Sequence, residues 1–160
     1  MASTDRVKWN CRWLLEKYDS HQDDPYAAVA GEGNMLMYGG ASIIWGLLIA
    51  DGSTDFSAPY IGVGDSYAAS DPTFTDLQGS STFRGAMDAG FPAHTDGFDS
   101  AAASIQFKTV FGPSDANFDW QEWGIFNGAS GGRMVNRAVT SIVPEVSGAV
   151  WTFTITISLE

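Results

Sequence analysis

The stretch Ala149-Val150-Trp151-Thr152-Phe153-Thr154-Ile155-Thr156-Ile157-Ser158-Leu159 decides the fold. Every odd position is apolar, and four of the even ones (Thr152, Thr154, Thr156, Ser158) carry a hydroxyl. Successive side chains on a strand point to opposite faces. This register therefore gives one bulky dry face and one wet, β-tolerant face. Six matches to a period of two, uninterrupted by Gly or Pro, predict a long strand, since a helix would scatter the same residues around its circumference. One face is expected against a core, with the other strands covering it.

Working outward, residues 6 to 17 alternate in the same way. Val7, Trp9, Cys11, Trp13 and Leu15 share one face and Arg6, Lys8, Asn10, Arg12 and Glu16 the other, with Leu14 the exception. Tyr18 to Gly33 is polar, acidic and turn-rich, and predicts an extended arm or long loop. Asn34 to Ala50 is the one helix candidate. Asn34 can cap it, Leu36, Ile43, Ile44, Leu47 and Leu48 fall near one face, and Asp51-Gly52 supplies a stop. Gly39, Gly40 and Gly46 weaken that helix by about 1 kcal/mol each relative to Ala, yet also permit close packing of its backbone on a sheet.

Further strands are predicted at 60–64, 81–87, 103–111, 120–126 and 133–143, with turns at 65–76 and Gly112–Asp115, a Gly-rich hairpin loop at Asn127–Gly132, and a turn at Pro144–Gly148. Trp120 to Phe126 is aromatic on both faces, as a central strand would be. The sum is a mainly β chain: an antiparallel β-sandwich or barrel-like domain of about seven strands with one helix at about 34–50. Residues 1–33 form an N-terminal strand and extended arm and 34–160 the body of what is one domain overall. At 160 residues such a domain buries roughly 70% of its unfolded surface, enough for a core without disulfide or metal.

The formal net charge of −11 argues against a nucleic-acid partner, and against anionic membrane surfaces, because both demand a basic face. Four of the eight basic residues lie within the first seventeen positions, whereas Tyr18 to Phe83 holds nine acidic residues and no Lys or Arg. That asymmetry suggests that the basic N-terminal segment lies against an acidic surface, its own or a neighbouring copy's; a simply solvated basic face is the alternative. A single cysteine, Cys11, allows no internal disulfide. The first residues lack the apolar core of a signal peptide, and the uncharged run Met35 to Ala50 is sixteen residues, short of the roughly 20 that span a bilayer. Folding and assembly in a cytoplasm is the expectation.

The chemistry-bearing patterns are weak. Gly128-Ala129-Ser130-Gly131-Gly132 matches the nucleophile elbow G-x-S-x-G, but both histidines, His21 and His94, precede the serine and the flanks read as a hairpin. Asp115, Asn117 and Asp119 resemble the opening of a calcium loop whose required Gly and Glu are replaced by Trp120 and Phe126. Gly62-Val63-Gly64 lacks the rest of a dinucleotide fingerprint. Asp119 and Glu122 flank tryptophans as sugar-active carboxylates do, yet lie three apart on a predicted strand and so face opposite sides. No catalytic, cofactor or metal residue is expected.

Several phrases carry a family resemblance: Ile61-Gly62-Val63-Gly64-Asp65-Ser66, Met87-Asp88-Ala89-Gly90-Phe91-Pro92, the run Ala116 to Asn127, Gly132-Arg133-Met134-Val135-Asn136-Arg137, and the closing strand. From roughly Gly31 onward the chain resembles small structural proteins of tailed bacteriophages. The resemblance implies a non-enzymatic virion component, assembled in the host cytoplasm: a capsid decoration (cement) protein, or alternatively a tail, fibre or baseplate component that adheres to a host surface. A hydrolase using Ser130 or the Asp119 and Glu122 carboxylates is the rival from another class. Expected partners are further copies, most simply a closed trimer, and virion proteins such as the major capsid protein. The expected contact region is Arg6 to Gly33, specifically Arg6, Lys8, Arg12, Lys17, Asp23, Asp24, Pro25 and Tyr26.

Overall fold

The final strand is central because both its neighbours are long and both lie far away in sequence. The computed structural model describes residues 7–19, 23–52, 54–143 and 149–160. Among them are ten strands and one α-helix: β1 (Trp9–Tyr18), β2 (Ala27–Glu32), β3 (Met35–Leu36), α1 (Tyr38–Leu48), β4 (Tyr60–Gly64), β5 (Thr82–Ala86), β6 (Ala93–His94), β7 (Ser104–Phe111), β8 (Trp120–Phe126), β9 (Met134–Val143) and β10 (Val150–Leu159). All pairings are antiparallel. They build two five-stranded sheets, β2-β1-β10-β7-β6 and β3-β9-β8-β4-β5, stacked as a β-sandwich.

β10 pairs along its whole length with β1, from Trp9 opposite Leu159 to Tyr18 opposite Val150, and on its other side with β7. Its odd residues Trp151, Phe153, Ile155 and Ile157 are buried, as are Cys11, Trp13 and Leu15 beside them, while Leu159 is half exposed. β8 occupies the matching central place in the second sheet. The Trp123 ring meets the Phe153 ring edge-on at 5.6 Å, and Trp120 lies 4.8 Å from Phe111 and 6.3 Å from Phe153. Edge-to-face pairs at this separation add about 0.5–1.5 kcal/mol each beyond the area they bury. A register shift between Trp120 and Glu122 explains how two tryptophans three residues apart both face inward, since a bulge breaks the parity of a strand.

The outer face of the second sheet is also covered. Phe126, Met134, Met37 and Leu77 form a smaller buried cluster with Tyr60 and Phe74 against it, so β8 is buried along its entire length. The glycines of β4 make room for this: a Cβ on Gly62 would meet the Phe126 ring at 2.6 Å, and one on Gly64 would meet the Glu122 carboxylate at 2.5 Å. Ile61 and Val63, which alternate with them, face the main core.

All seven strands expected from the sequence are present, and three more are added among the described residues. β2 lies within the segment read as an arm or loop. Its Ala-Ala-Val-Ala-Gly sequence has no alternation, and backbone pairing with β1, from Arg12 opposite Glu32 to Lys17 opposite Ala27, makes it a strand. β3 and β6 are two-residue strands too short for any periodic signal. α1 starts later than the expected Asn34. Its cap residue is Met37 with no side-chain cap bond, because the Asn34 amide oxygen accepts from the Trp9 indole N–H at 2.8 Å. The turn read over Pro144–Gly148 lies outside the described residues.

The helix also turns a different side to the core. Of Leu36, Ile43, Ile44, Leu47 and Leu48, only Ile43 is fully buried, and Ile44, Leu47 and Leu48 are exposed. The buried side is Gly40, Ile43 and Gly46. Gly40 seats its backbone directly on the main chain of Val135 in β9, where no side chain fits. Close approach through glycine outcompetes the leucine face, which could reach the sheet only by lifting the helix away. Gly40→Ala should therefore cost about 1–3 kcal/mol through overpacking, against the helix-propensity gain of about 1 kcal/mol that Ala gives elsewhere. Gly39→Ala, whose Cβ would find only ordinary contact with the Met134 carbonyl at 3.4 Å, should be neutral or stabilising. Urea melts of the two variants check the pair.

Candidate functional site

Glu122 and Arg137 are both completely buried, on neighbouring strands β8 and β9. The Arg137 Nε donates to Glu122 at 2.7 Å. The same carboxylate accepts from the backbone N–H groups of Gln78 at 2.9 Å and Gly79 at 2.7 Å. One Arg137 terminal nitrogen donates to the Ala68 carbonyl at 2.8 Å and the Ser70 hydroxyl at 3.1 Å, and the guanidinium lies 5.6 Å from the Phe74 ring centre. A buried charge tolerates its desolvation only when paired and hydrogen-bonded, and this pair is both. Its partners belong to the segment 65–81. The pair thus fastens that long connection over the outer face of the second sheet.

Arg84 makes a second fastening. Its guanidinium stacks 3.6 Å from the Phe126 ring centre and donates to the carbonyls of Gly128 (2.8 Å) and Gly131 (2.9 Å), and to Asp76 (2.9 Å). The glycine-rich loop is thereby held to the same segment. At the segment's start, the Ser81 backbone N–H, aided by the Ser81 and Ser80 hydroxyls, holds the Asp65 carboxyl below its usual range.

Each chemical candidate from the sequence has a place in this scheme. Ser130 is an exposed member of the loop between β8 and β9, far in the fold from a strand-to-helix elbow. His94 lies in the other sheet, and His21 is outside the described residues. Glu122 has its oxygens occupied by the ion pair and two amides, whereas Asp119 sits on the surface before β8 begins, so the two carboxylates flank no common cleft. Burial, and not strand parity, separates them, because the bulge at Trp120 interrupts the alternation. Asp115 accepts from the Gly112 N–H at 2.9 Å as part of a turn. No cluster of three potential metal ligands exists among the described residues. Cys11 faces the core, and burial pushes its thiol up to about 12, which leaves it protonated and unreactive near neutral pH.

The expected contact residues divide. Lys8 just before β1, Arg12 on it, and Asp23, Asp24, Pro25 and Tyr26 before β2 are exposed. Arg12 approaches Glu32 of β2 at 3.5 Å across solvent. Lys17 is buried, with its ammonium 4.6 Å from the Trp151 ring centre and 5.3 Å from that of Tyr26. Its odd number in the β1 alternation already places it on the inner face. Arg6 lies outside the described residues. Two surfaces stand out beside these: the β2 edge, which falls inside the expected Arg6 to Gly33 contact region but was read there as an arm and not a strand, and the outward face of α1, which sequence reasoning missed. The signal for the second is a helix apolar on every side.

Removing either member of the buried pair strands the other. Glu122→Gln and Arg137→Met should each destabilise the fold by about 3–5 kcal/mol, and the double variant by less than the two single losses combined. Shifts in urea midpoint at constant slope measure this. Against known proteins, no family model, no curated protein and no solved structure matches this chain.

Proposed function

We propose that this chain is a non-enzymatic structural protein of a tailed-phage virion, a capsid decoration protein that forms homo-oligomers on the shell and ties neighbouring capsomers together. The observation that carries the reading is the edge strand β2. It is the longest edge of either sheet among the described residues, at six residues against five for β5 and two each for β3 and β6. Ala27 to Ala30 are all exposed, small and uncharged. Such an edge offers a row of backbone donors and acceptors that a neighbouring protein's strand can complete, and natural monomers blunt it with charge or proline. The exposed Lys8, Arg12, Asp23, Asp24, Pro25 and Tyr26 flank it and supply a polar rim. The resemblance of residues from about Gly31 onward to phage structural proteins supplies the setting. Ion pairs and carbonyl clamps that hold loops shut suit a part whose work is to add buried area.

Purified protein added to expanded heads of the phage that encodes it should bind at fixed stoichiometry and raise their melting temperature. Val29→Lys on the β2 edge should weaken that binding by about tenfold or more while leaving the protein's own melt unchanged. Binding to host cells with no effect on heads would move the protein to the tail, and indifference to every virion part would overturn the reading.

A further inference from the structure

Helix α1 buries two glycines and Ile43 and exposes most of its large residues. Gly40, seated on Val135 of β9, is buried together with Ile43 and Gly46, while Trp45 is 62% exposed, Leu48 73% and Ile49, just past the helix, 71%. Tyr38, Ile44 and Leu47 complete the outward face. A helix apolar on all sides is ordinarily buried on all sides. With a whole large side chain taken as roughly 150–250 Å², these six residues expose on the order of 500–900 Å², close to the ~800 Å² that each partner contributes to a specific interface. Monomers rarely leave a contiguous apolar patch of that size in water. Beside the helix runs an apolar cleft of about 380 Å³, whose walls include Trp9, Ile44, Leu47, Phe56 and Ile105.

We propose that a second copy of this chain covers this face, α1 against α1, with the adjoining cleft as a socket for the neighbour's large side chains. The proposal rests on the homo-oligomeric part of the function proposed above and names its surface. Charge selects the occupant. Each copy carries −11, so two copies repel wherever their acidic surfaces meet, and Met35 to Ala50 is a stretch with no charge at all. A basic partner would find its match on the acidic remainder of the protein and not here. A lipid surface fits poorly, since helices that lie on membranes carry Lys and Arg beside their apolar face, whereas α1 has no basic residue in its last turn and none in its sequence. The nearby cation Arg133 is held to the Ser42 hydroxyl at 3.0 Å, at the margin of the apolar face.

Sedimentation equilibrium of the full chain, in the absence of any virion component, tests the surface. The wild type should associate into a closed oligomer at micromolar concentration. Trp45→Glu with Leu48→Glu should weaken association by about 100-fold or more with an unchanged circular dichroism spectrum, because both side chains already face water in the single chain. Val29→Lys should leave association intact, which separates this surface from the β2 edge. A wild type that stays monomeric, an oligomer that survives the double substitution, or a monomer that pellets with phosphatidylcholine vesicles would each overturn the proposal. An intact oligomer absent from purified phage particles would instead sink the virion reading and leave the α1 interface standing.

Discussion

The contact on which the architecture depends is the aromatic stack between the two central strands, Phe153 of β10 against Trp123 and Trp120 of β8. Both strands sit third of five in their sheets, so each has paired neighbours on both sides. β10 in turn holds β1, which brings the two ends of the described chain into one ladder. Trp13 reaches Phe153 edge-on at 6.1 Å, tying that ladder into the same stack. A cavity in this stack would be felt by β1, β8 and β10 together, because interiors packed to crystal density relax little.

The second sheet has a further demand that the first does not. Its outer face is roofed by the segment 65–81, whose backbone groups find partners partly in turns of their own, such as the Phe74 N–H on the Asp71 carbonyl, and partly in buried side chains. Glu122 takes the amides of Gln78 and Gly79, Arg137 takes the carbonyl of Ala68, and Arg84 takes those of Gly128 and Gly131. Glycines at 62 and 64 clear the space beneath the Phe126 ring and the Glu122 carboxylate. Glu122, one of the two carboxylates singled out in the sequence, thereby has its oxygens engaged in holding this roof.

Among the described residues two surfaces of different kinds stand out, a backbone edge at β2 and a hydrocarbon face at α1. They differ in what they can recognise. An edge strand takes any extended partner through main-chain bonds, with selectivity left to the flanking charges. A face of Trp, Leu and Ile demands shape complementarity and tolerates no charge. In the proposed assembly, copies join through α1 and the shell is engaged through β2, so self-association and docking do not compete for one surface.

Legibility in the sequence followed the range of the signal. Seven strands were visible because a buried face of Trp, Phe and Ile at period two is a local pattern, and β10 and β1 carry it most strongly. β2 was invisible because its small residues carry no period, and only the ladder of β1 makes it a strand. The glycine side of α1 was inward for a reason outside the helix, namely the main chain of Val135, so helical periodicity pointed to the leucines. Glu122, Arg137 and Arg84 read as scattered charges until β8, β9 and β5 set them beneath one roof. By itself, then, the sequence determined a mainly β architecture and the residues of its dry seam, because alternation is imposed by the strand backbone alone, while the choice of two sheets over a closed barrel came with the tertiary pairing. Only the tertiary structure decided which charges are buried together and which apolar faces stay outside, because those depend on which distant segments meet.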